Sequence, residues 1–332
     1  MQVVFLNQFD RIVGQGEDRA QVFIGEEQGV WSAGWRSIQP TAAEQEDLWY
    51  EGMSWEELLA AFRHGVACKL SQGFRPMLDG MLEEAPLWER RPSALTLLQC
   101  YADMQDATET GNKLRIWRRA RATEEKKSAY LIATNRELQM LAVYLPQSLE
   151  ELIQIPGYGQ VKLERYGKEL VELLKDIPRK HTFPLLTWVS KEVTEEQRSS
   201  WIFKQKEEKY SKVLASVREK RTLLLGIREG RTLTDLENLL QCTRRQLLER
   251  IEQLDEEGYD VQRVVEQELA TLPDEECEQI ETAMKELGDQ YLKPLMHKVY
   301  GDIQANAKDT EGKYEKLRMM RLRYRKLSRS AI

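Results

Sequence analysis

The stretch Ile155–Gly167, IPGYGQVKLERYG, sets Lys162 and Arg165 a few residues behind a glycine-bracketed turn. Gly157 and Gly159 let the chain reverse sharply, and a helix starting near Gln160 then presents unpaired backbone N–H groups. Such a terminus attracts phosphate through its donors and its dipole, and Lys162 and Arg165 add charge on its first turns. A nucleotide site would need a strand before the glycines, or the GxxxxGK(S/T) spacing of a phosphate loop. Neither is present, because residues 148–154 read as a short helix. A lone GxG between helices also serves as a plain structural turn, so the motif by itself leaves that reading open beside phosphate capture.

Other residues capable of chemistry are scattered. His64, His181 and His297 stand apart, with no HExxH motif, and read as structural or exposed. Cys68, Cys100, Cys242 and Cys277 form no CxxC pair and fit reduced core thiols better than a zinc site or a disulfide frame. The absence of a Walker A motif excludes a helicase motor. These features point to no enzyme, no catalytic residue, no metal and no small-molecule cofactor.

The 332 residues suffice for two or three domains, and 41% hydrophobic content suits a folded core. No apolar run approaches the roughly 18 residues of a membrane span. The opening MQVVFLNQFDRIVG lacks a basic flank and a small-residue cleavage site, so a cytoplasmic protein without membrane contact is expected. The net charge of −6 conceals an uneven distribution. Residues 1–110 carry 8 basic and 18 acidic side chains, residues 111–180 carry 14 and 9, residues 181–312 carry 19 and 27, and the last twenty carry 8 and 1. Two basic segments sit in an acidic chain, which argues against indiscriminate polyanion binding and permits a focused contact.

The elements that would position these groups change along the chain. QVVFLNQF, AQVFIG and GVWSAGWRSI read as three strands of a small antiparallel sheet. Ser54 to Glu57 form a capping box before a helix, and Pro86 and Pro92 punctuate a second helical stretch, SALTLLQCYADMQ. Trp31, Trp35, Trp49, Trp55 and Trp88 fall in this part, either as core or as a platform for stacking bases. Farther on, NKLRIWRRARA sets Leu114, Trp117 and Ala120 on one face and Arg115, Arg118, Arg119 and Arg121 around the other. Capping boxes at Thr134–Glu137 and Ser148–Glu151 open two more helices, and the glycine turn leads into a closing one. His181 to Trp188 reads as an extended connector, and Thr194 starts a long charged helix. Boxes at Thr234–Glu237 and Thr243–Gln246 then cap two helices joined by a brief turn, a helix-turn-helix signature.

Over Leu114 to Leu174, LRIWRRARA, IATNRELQMLAVYLP, SLEELIQIPGYG and KLERYGKELVELL together resemble the HRDC domain, shared by RecQ-type helicases and RNase D. The resemblance implies an auxiliary, non-catalytic nucleic-acid-binding bundle. It also implies contacts from Arg115, Arg118, Arg119, Lys126 and Lys127 near the first helix, and from Tyr158, Gly159, Gln160, Lys162 and Arg165 at the hairpin. Residues 212–326, with LKPL and KYEKLRMMRLRYRKL, resemble the helix-turn-helix segment at the C-terminal end of some RecQ-type helicases and accessory proteins. There Arg244, Arg245 and Arg250 are groove candidates, while Glu249, Glu252, Asp255, Glu256 and Glu257 would repel phosphate and favour protein docking or packing. Lys313–Arg329 reads as a packed helix with a solvated cationic side, or as a sequence-blind phosphate contact.

The expected fold is mainly α. A small α+β domain covers residues 1–108, an HRDC-like bundle 111–178, a linker and charged helix 179–211, and a helix-turn-helix domain with a basic tail 212–332. The expected function is a DNA-binding accessory in helicase-linked recombination or repair, gripping single-stranded or branched DNA and touching a RecQ-like helicase. A protein-interaction adaptor without DNA affinity is the alternative.

Overall fold

The structure, a computed structural model, describes residues 1–13, 16–38, 45–82, 93–179, 181–301 and 307–330. Trp88, Pro86 and Pro92 lie outside the described residues. The chain divides into two compact units, Met1–Leu214 and Ala215–Ile332, as a mainly helical protein with a small N-terminal antiparallel sheet.

In the first unit, β1 (Gln2–Val13), β2 (Gly16–Glu27), β3 (Val30–Ile38) and β4 (Gln45–Gly52) form an antiparallel meander, with the short β5 (Arg75–Pro76) beside β1. The three strands expected from sequence are β1 to β3; β4 and β5 extend them. Helix α1 (Trp55–Ser71), capped by the Ser54 side chain on Glu57 N–H, packs on this sheet. Phe9, Val22, Trp35 and Leu58 are buried between the layers. Trp35 meets the Phe9 ring at 5.0 Å and stacks on Trp49 at 6.2 Å, while Trp31 packs against Trp55 at 4.7 Å. Of these indoles Trp35 is core, Trp31 and Trp49 are partly buried, and Trp55 is 45% exposed.

A helical bundle follows: α2 (Ala94–Asp103), α3 (Thr108–Glu124), α4 (Ala129–Ile132), α5 (Asn135–Tyr144), α6 (Leu149–Leu152), α7 (Gln160–Leu174) and α8 (Leu185–Glu192). Its core gathers Leu114, Ile132, Leu141, Leu152, Ile155 and Leu170, all essentially without exposure. Burial of each such side chain stabilises the bundle by about 1.5–3 kcal/mol. Helix α5 opens with a complete Thr134–Glu137 capping box and ends at Leu145, whose left-handed φ of 43° precedes Pro146. Helix α8 replaces the expected extended connector. Pro184 takes the N-cap position, where a missing N–H costs nothing, and Leu185 and Val189 at a four-residue spacing turn inward together.

Helix α9 (Glu195–Glu229) runs unbroken for 35 residues, and the boundary between the units falls within it. The second unit continues with α10 (Leu233–Leu240), α11 (Arg244–Glu256), α12 (Gln262–Leu269), α13 (Asp274–Leu287), α14 (Leu292–Tyr300) and α15 (Ala307–Ser330). Capping boxes at Thr232 and Thr243 start α10 and α11, and Gln241 in the left-handed region turns the chain between them. The first box lies two residues ahead of the expected Thr234. Leu236, Leu247, Ile251, Val265, Ile280, Met284 and Leu317 form this unit's core. Among the described residues no helix is long and apolar enough to cross a membrane.

Candidate nucleic-acid interface

Helix α3 turns Leu114 into the bundle, and Trp117 leans on Tyr166 of α7 while its indole donates to Glu169 at 2.9 Å. That burial fixes which cations face outward. Arg118 is tied down: it donates to the Ala133 carbonyl at 2.8 Å and to Asn135 Oδ1 at 2.9 Å. Arg121 reaches Glu124 at 2.6 Å and also Glu169. Arg115 meets no carboxylate, only the Asn112 amide oxygen at 2.8 Å. Arg119, one turn further along the same face, is exposed, and its guanidinium has no partner among the described residues. Exposed Lys126, held at a φ of 51°, is likewise without a side-chain partner there. Lys127 pairs with Glu125 at 2.7 Å.

The glycine hairpin is built around Glu137 rather than around an empty cradle. Gly157 has a φ of 98°, and a Cβ there would overlap the Glu137 carboxylate, so this position requires glycine. Gly159 is different: its backbone is extended, nothing crowds it, and it acts as the N-cap of α7 without any side-chain acceptor. The first N–H groups of α7 are thereby left uncapped by a side chain, as an anion site requires. Exposed Gln160 spends its amide on Glu164 at 3.0 Å. Tyr158 is buried, its hydroxyl without a partner, and burial with the nearby Glu137 charge pushes its pKa up.

Lys162 donates to both Glu137 oxygens, at 2.8 and 3.0 Å, and lies 5.4 Å from the Tyr158 ring centre. Glu137 also accepts from Thr134 N–H at 2.6 Å, so one carboxylate closes a helix cap and anchors the hairpin lysine. Arg165 is half exposed and lies 3.7 Å from Glu125. Hydrogen bonds from Lys127 and Tyr166 hold the Glu125 carboxyl below its ordinary pKa range. The cations expected at this site therefore divide. Arg115, Arg119 and Lys126 are open, whereas Arg118, Lys127, Lys162 and Arg165 carry protein partners.

In the second unit, Arg244 is surrounded by Glu315 at 2.7 Å, Glu237 at 3.1 Å and Glu268 at 3.4 Å. Arg250 pairs with Glu219. Arg245 is 82% exposed, with Glu249 at 3.0 Å. The cationic side of α15, expected as a solvated face, is engaged by carboxylates, although Lys326 and Arg329 stay about half exposed. Lys316, Arg318, Arg321, Arg323, Arg325, Lys326 and Arg329 each lie within ion-pair distance of a carboxylate from α11, α13 or the segments after them. The acidic positions that looked repulsive to DNA, such as Glu252 and Asp255, are what hold this helix.

Three polar side chains near α3 escaped the sequence reading. Arg136, Trp201 and Lys204 line a cleft with Arg115, and their common location has no signal in sequence spacing. The thiols of Cys68 and Cys100 are pushed up to about 11 by burial, which keeps them protonated at neutral pH. Burial lowers the pKa of His181, whose ring meets the Tyr144 carbonyl. Among the described residues no cluster of His, Cys, Asp and Glu could hold a metal ion.

Residues 112–174 match the family model of the HRDC domain, so the bundle from α3 to α7 is an HRDC domain, as the sequence resemblance implied. The matching relatives are helicases that carry the same region. A 91-residue segment is 35% identical to the ATP-dependent DNA helicase UvrD2 of Mycobacterium tuberculosis, covering 26% of this chain and 13% of that protein. A 64-residue segment is 36% identical to the ATP-dependent DNA helicase RecQ of Haemophilus influenzae, covering 19% and 10%. A third match, 30% identical over 125 residues, is to RecQ of Pasteurella multocida and covers 35% and 19%. The chain thus spans no more than about a fifth of the length of these curated relatives. No solved structure matches it.

Proposed function

We propose that this chain is a non-catalytic accessory protein in helicase-linked DNA recombination or repair, whose HRDC domain captures the backbone of single-stranded or branched DNA. One observation carries this reading: Arg115 and Arg119 stand on one face of α3 with no carboxylate partner, while Arg121, Lys127, Lys162 and Arg165 of the same bundle lie against carboxylates. Capture is electrostatic, with guanidinium groups displacing counterions from phosphates. The uncapped start of α7 at Gln160 offers backbone N–H donors to a phosphate oxygen. Arg245 is the one residue of the expected groove set that is largely exposed, and a RecQ-like helicase is the partner that the named relatives suggest. The chain works in the cytoplasm.

A second reading, an adaptor without DNA affinity, draws support from the ion pairs that neutralise Lys162 and Arg165. A salt titration of the full chain on single-stranded and branched DNA separates the two. With two or three phosphate contacts, the log–log slope of affinity against salt is expected at about −1.4 to −2.1 on single strands. No binding at low salt, or a slope near zero, defeats the DNA reading. Capture of a RecQ-type helicase after nuclease treatment then favours the adaptor.

A further inference from the structure

Beside the open cations of α3, a cleft of about 890 Å³ lies between α3 and α5 on one side and the first half of α9 on the other, all within the first unit. We infer that this cleft is a single-stranded nucleic-acid subsite, in which bases enter the cleft and phosphates stay on the α3 side. This inference rests on the nucleic-acid reading above and extends it from the HRDC domain to α9.

The volume falls within the roughly 300–1,000 Å³ of clefts that bury an organic ligand. Among its polar groups are the amides of Asn135, Gln139 and Gln205, each with one end engaged by a neighbour. Asn135 Oδ1 accepts from Arg118, which leaves its NH2 as a donor. The Gln139 NH2 donates to the Ala102 and Gln105 carbonyls, which leaves its oxygen as an acceptor. Gln205 Oε1 is 3.5 Å from Arg136, a long contact that leaves the Gln205 NH2 open. Donors and an acceptor in alternation suit the edges of unpaired bases. Trp201, its ring set by a 3.0 Å hydrogen bond from the indole N–H to Asp103, supplies a half-buried aromatic face for stacking.

Charge decides how a strand would lie. Arg115 and Arg136 belong to the α3–α5 wall, whereas Glu196 and Glu208 belong to the α9 wall, with Lys204 between them; Asp103, at the end of α2, also lines the cleft, its carboxylate engaged by the Trp201 indole. Phosphates are drawn to the first wall and repelled from the second, so the bases turn toward α9. An acidic peptide has no equivalent way to keep its charge off Glu196 and Glu208. A duplex has its Watson–Crick edges occupied by pairing and its base faces by stacking, so it cannot place bases in the cleft.

The test uses the full chain and a 12-nucleotide single strand carrying one 5-iodouracil, beside a duplex of equal length. Photocrosslinking should label Trp201. Lys204→Glu and Gln205→Glu, both on the surface of α9, should each weaken single-strand binding about fivefold to tenfold and leave duplex binding within about twofold. Circular dichroism checks that both variants stay folded. If both leave single-strand affinity unchanged and no label reaches α9, while Arg119→Glu abolishes binding, the cleft assignment fails and the HRDC reading survives. If the wild-type chain binds no strand at all, both fall together. If an oligoglutamate peptide binds through Trp201 and the strand does not, the occupant is acidic protein and the inference is overturned.

Discussion

Helices α3 and α15 carry similar stocks of arginine, yet their surroundings put that charge to opposite uses. Along α15, Arg318 and Arg321 both reach Glu252, Arg323 reaches Glu281 and Arg325 reaches Asp289, so the charge is consumed in seating the helix. On α3, Arg121 is consumed in the same way and Arg118 is held by a carbonyl and an amide oxygen, but Arg115 and Arg119 have no carboxylate partner among the described residues. Net charge per segment therefore misleads: the last twenty residues are the more basic and the less available. Availability depends on what packs opposite, and in an acidic chain most cations find something.

The contrast can be broken by charge reversal. Arg321→Glu places a carboxylate against Glu252, where the two side chains are 14% and 16% exposed. It should destabilise the second unit by about 3–5 kcal/mol, the scale for breaking a buried pair, in chemical denaturation, and leave DNA affinity unchanged. Arg115→Glu with Arg119→Glu should do the reverse: affinity falls about a hundredfold at low salt, and the melting temperature hardly moves. A large loss of DNA binding in folded Arg321→Glu would undo the comparison.

Gly157→Ala tests whether the hairpin needs its backbone geometry, through a positive φ and an overlap with Glu137. A cost of about 2–3 kcal/mol in equilibrium unfolding is expected. Lys162→Gln sharpens the division among the HRDC cations. It should cost about 1–2 kcal/mol, because Glu137 loses a charged donor, and change DNA affinity less than about threefold. A tenfold loss of affinity would move Lys162 to the binding side.

Acidification separates the units more gently. The Arg325 hydrogen bond holds Asp289 below its ordinary pKa range, so folded Asp289 binds its proton less readily than unfolded Asp289. Its contribution is complete above the ordinary carboxylate range, about pH 4, and is lost as pH falls through the lowered folded value. Glu268 works the other way, because burial raises its pKa and favours the protonated form on folding. A melting series from pH 7 to pH 3 should show the second unit losing stability only at the acidic end. Arg325→Gln should flatten that loss.

Much of the architecture was legible because it is written locally. The boxes at Thr134 and Thr243 fixed helix starts within four residues, and IPGYG with its flanking helices identified the HRDC domain. Helix α8 was missed because Pro184 and the threonine and valine nearby suggest extended chain, while the inward spacing of Leu185 and Val189 is short and weak. The site was less legible. Glu137 was visible as a capping residue, but its hold on Lys162 spans 25 positions, and that of Arg321 on Glu252 spans 69. Composition counts charges; only the fold pairs them.

The ladder of pairs along α15 also sets its register. Glu315 and Arg318 engage α11, Lys316 and Arg323 engage α13, and Arg325 reaches both Glu256 of α11 and Asp289 beyond α13. A slide of one helical turn, about 5.4 Å, would keep the greasy side of the helix roughly in place and misalign these pairs at once. Apolar packing tolerates such a slip; the charge pattern does not. The arginines that looked like a hand for DNA act as a combination lock, accepting one alignment of the last helix and rejecting its neighbours.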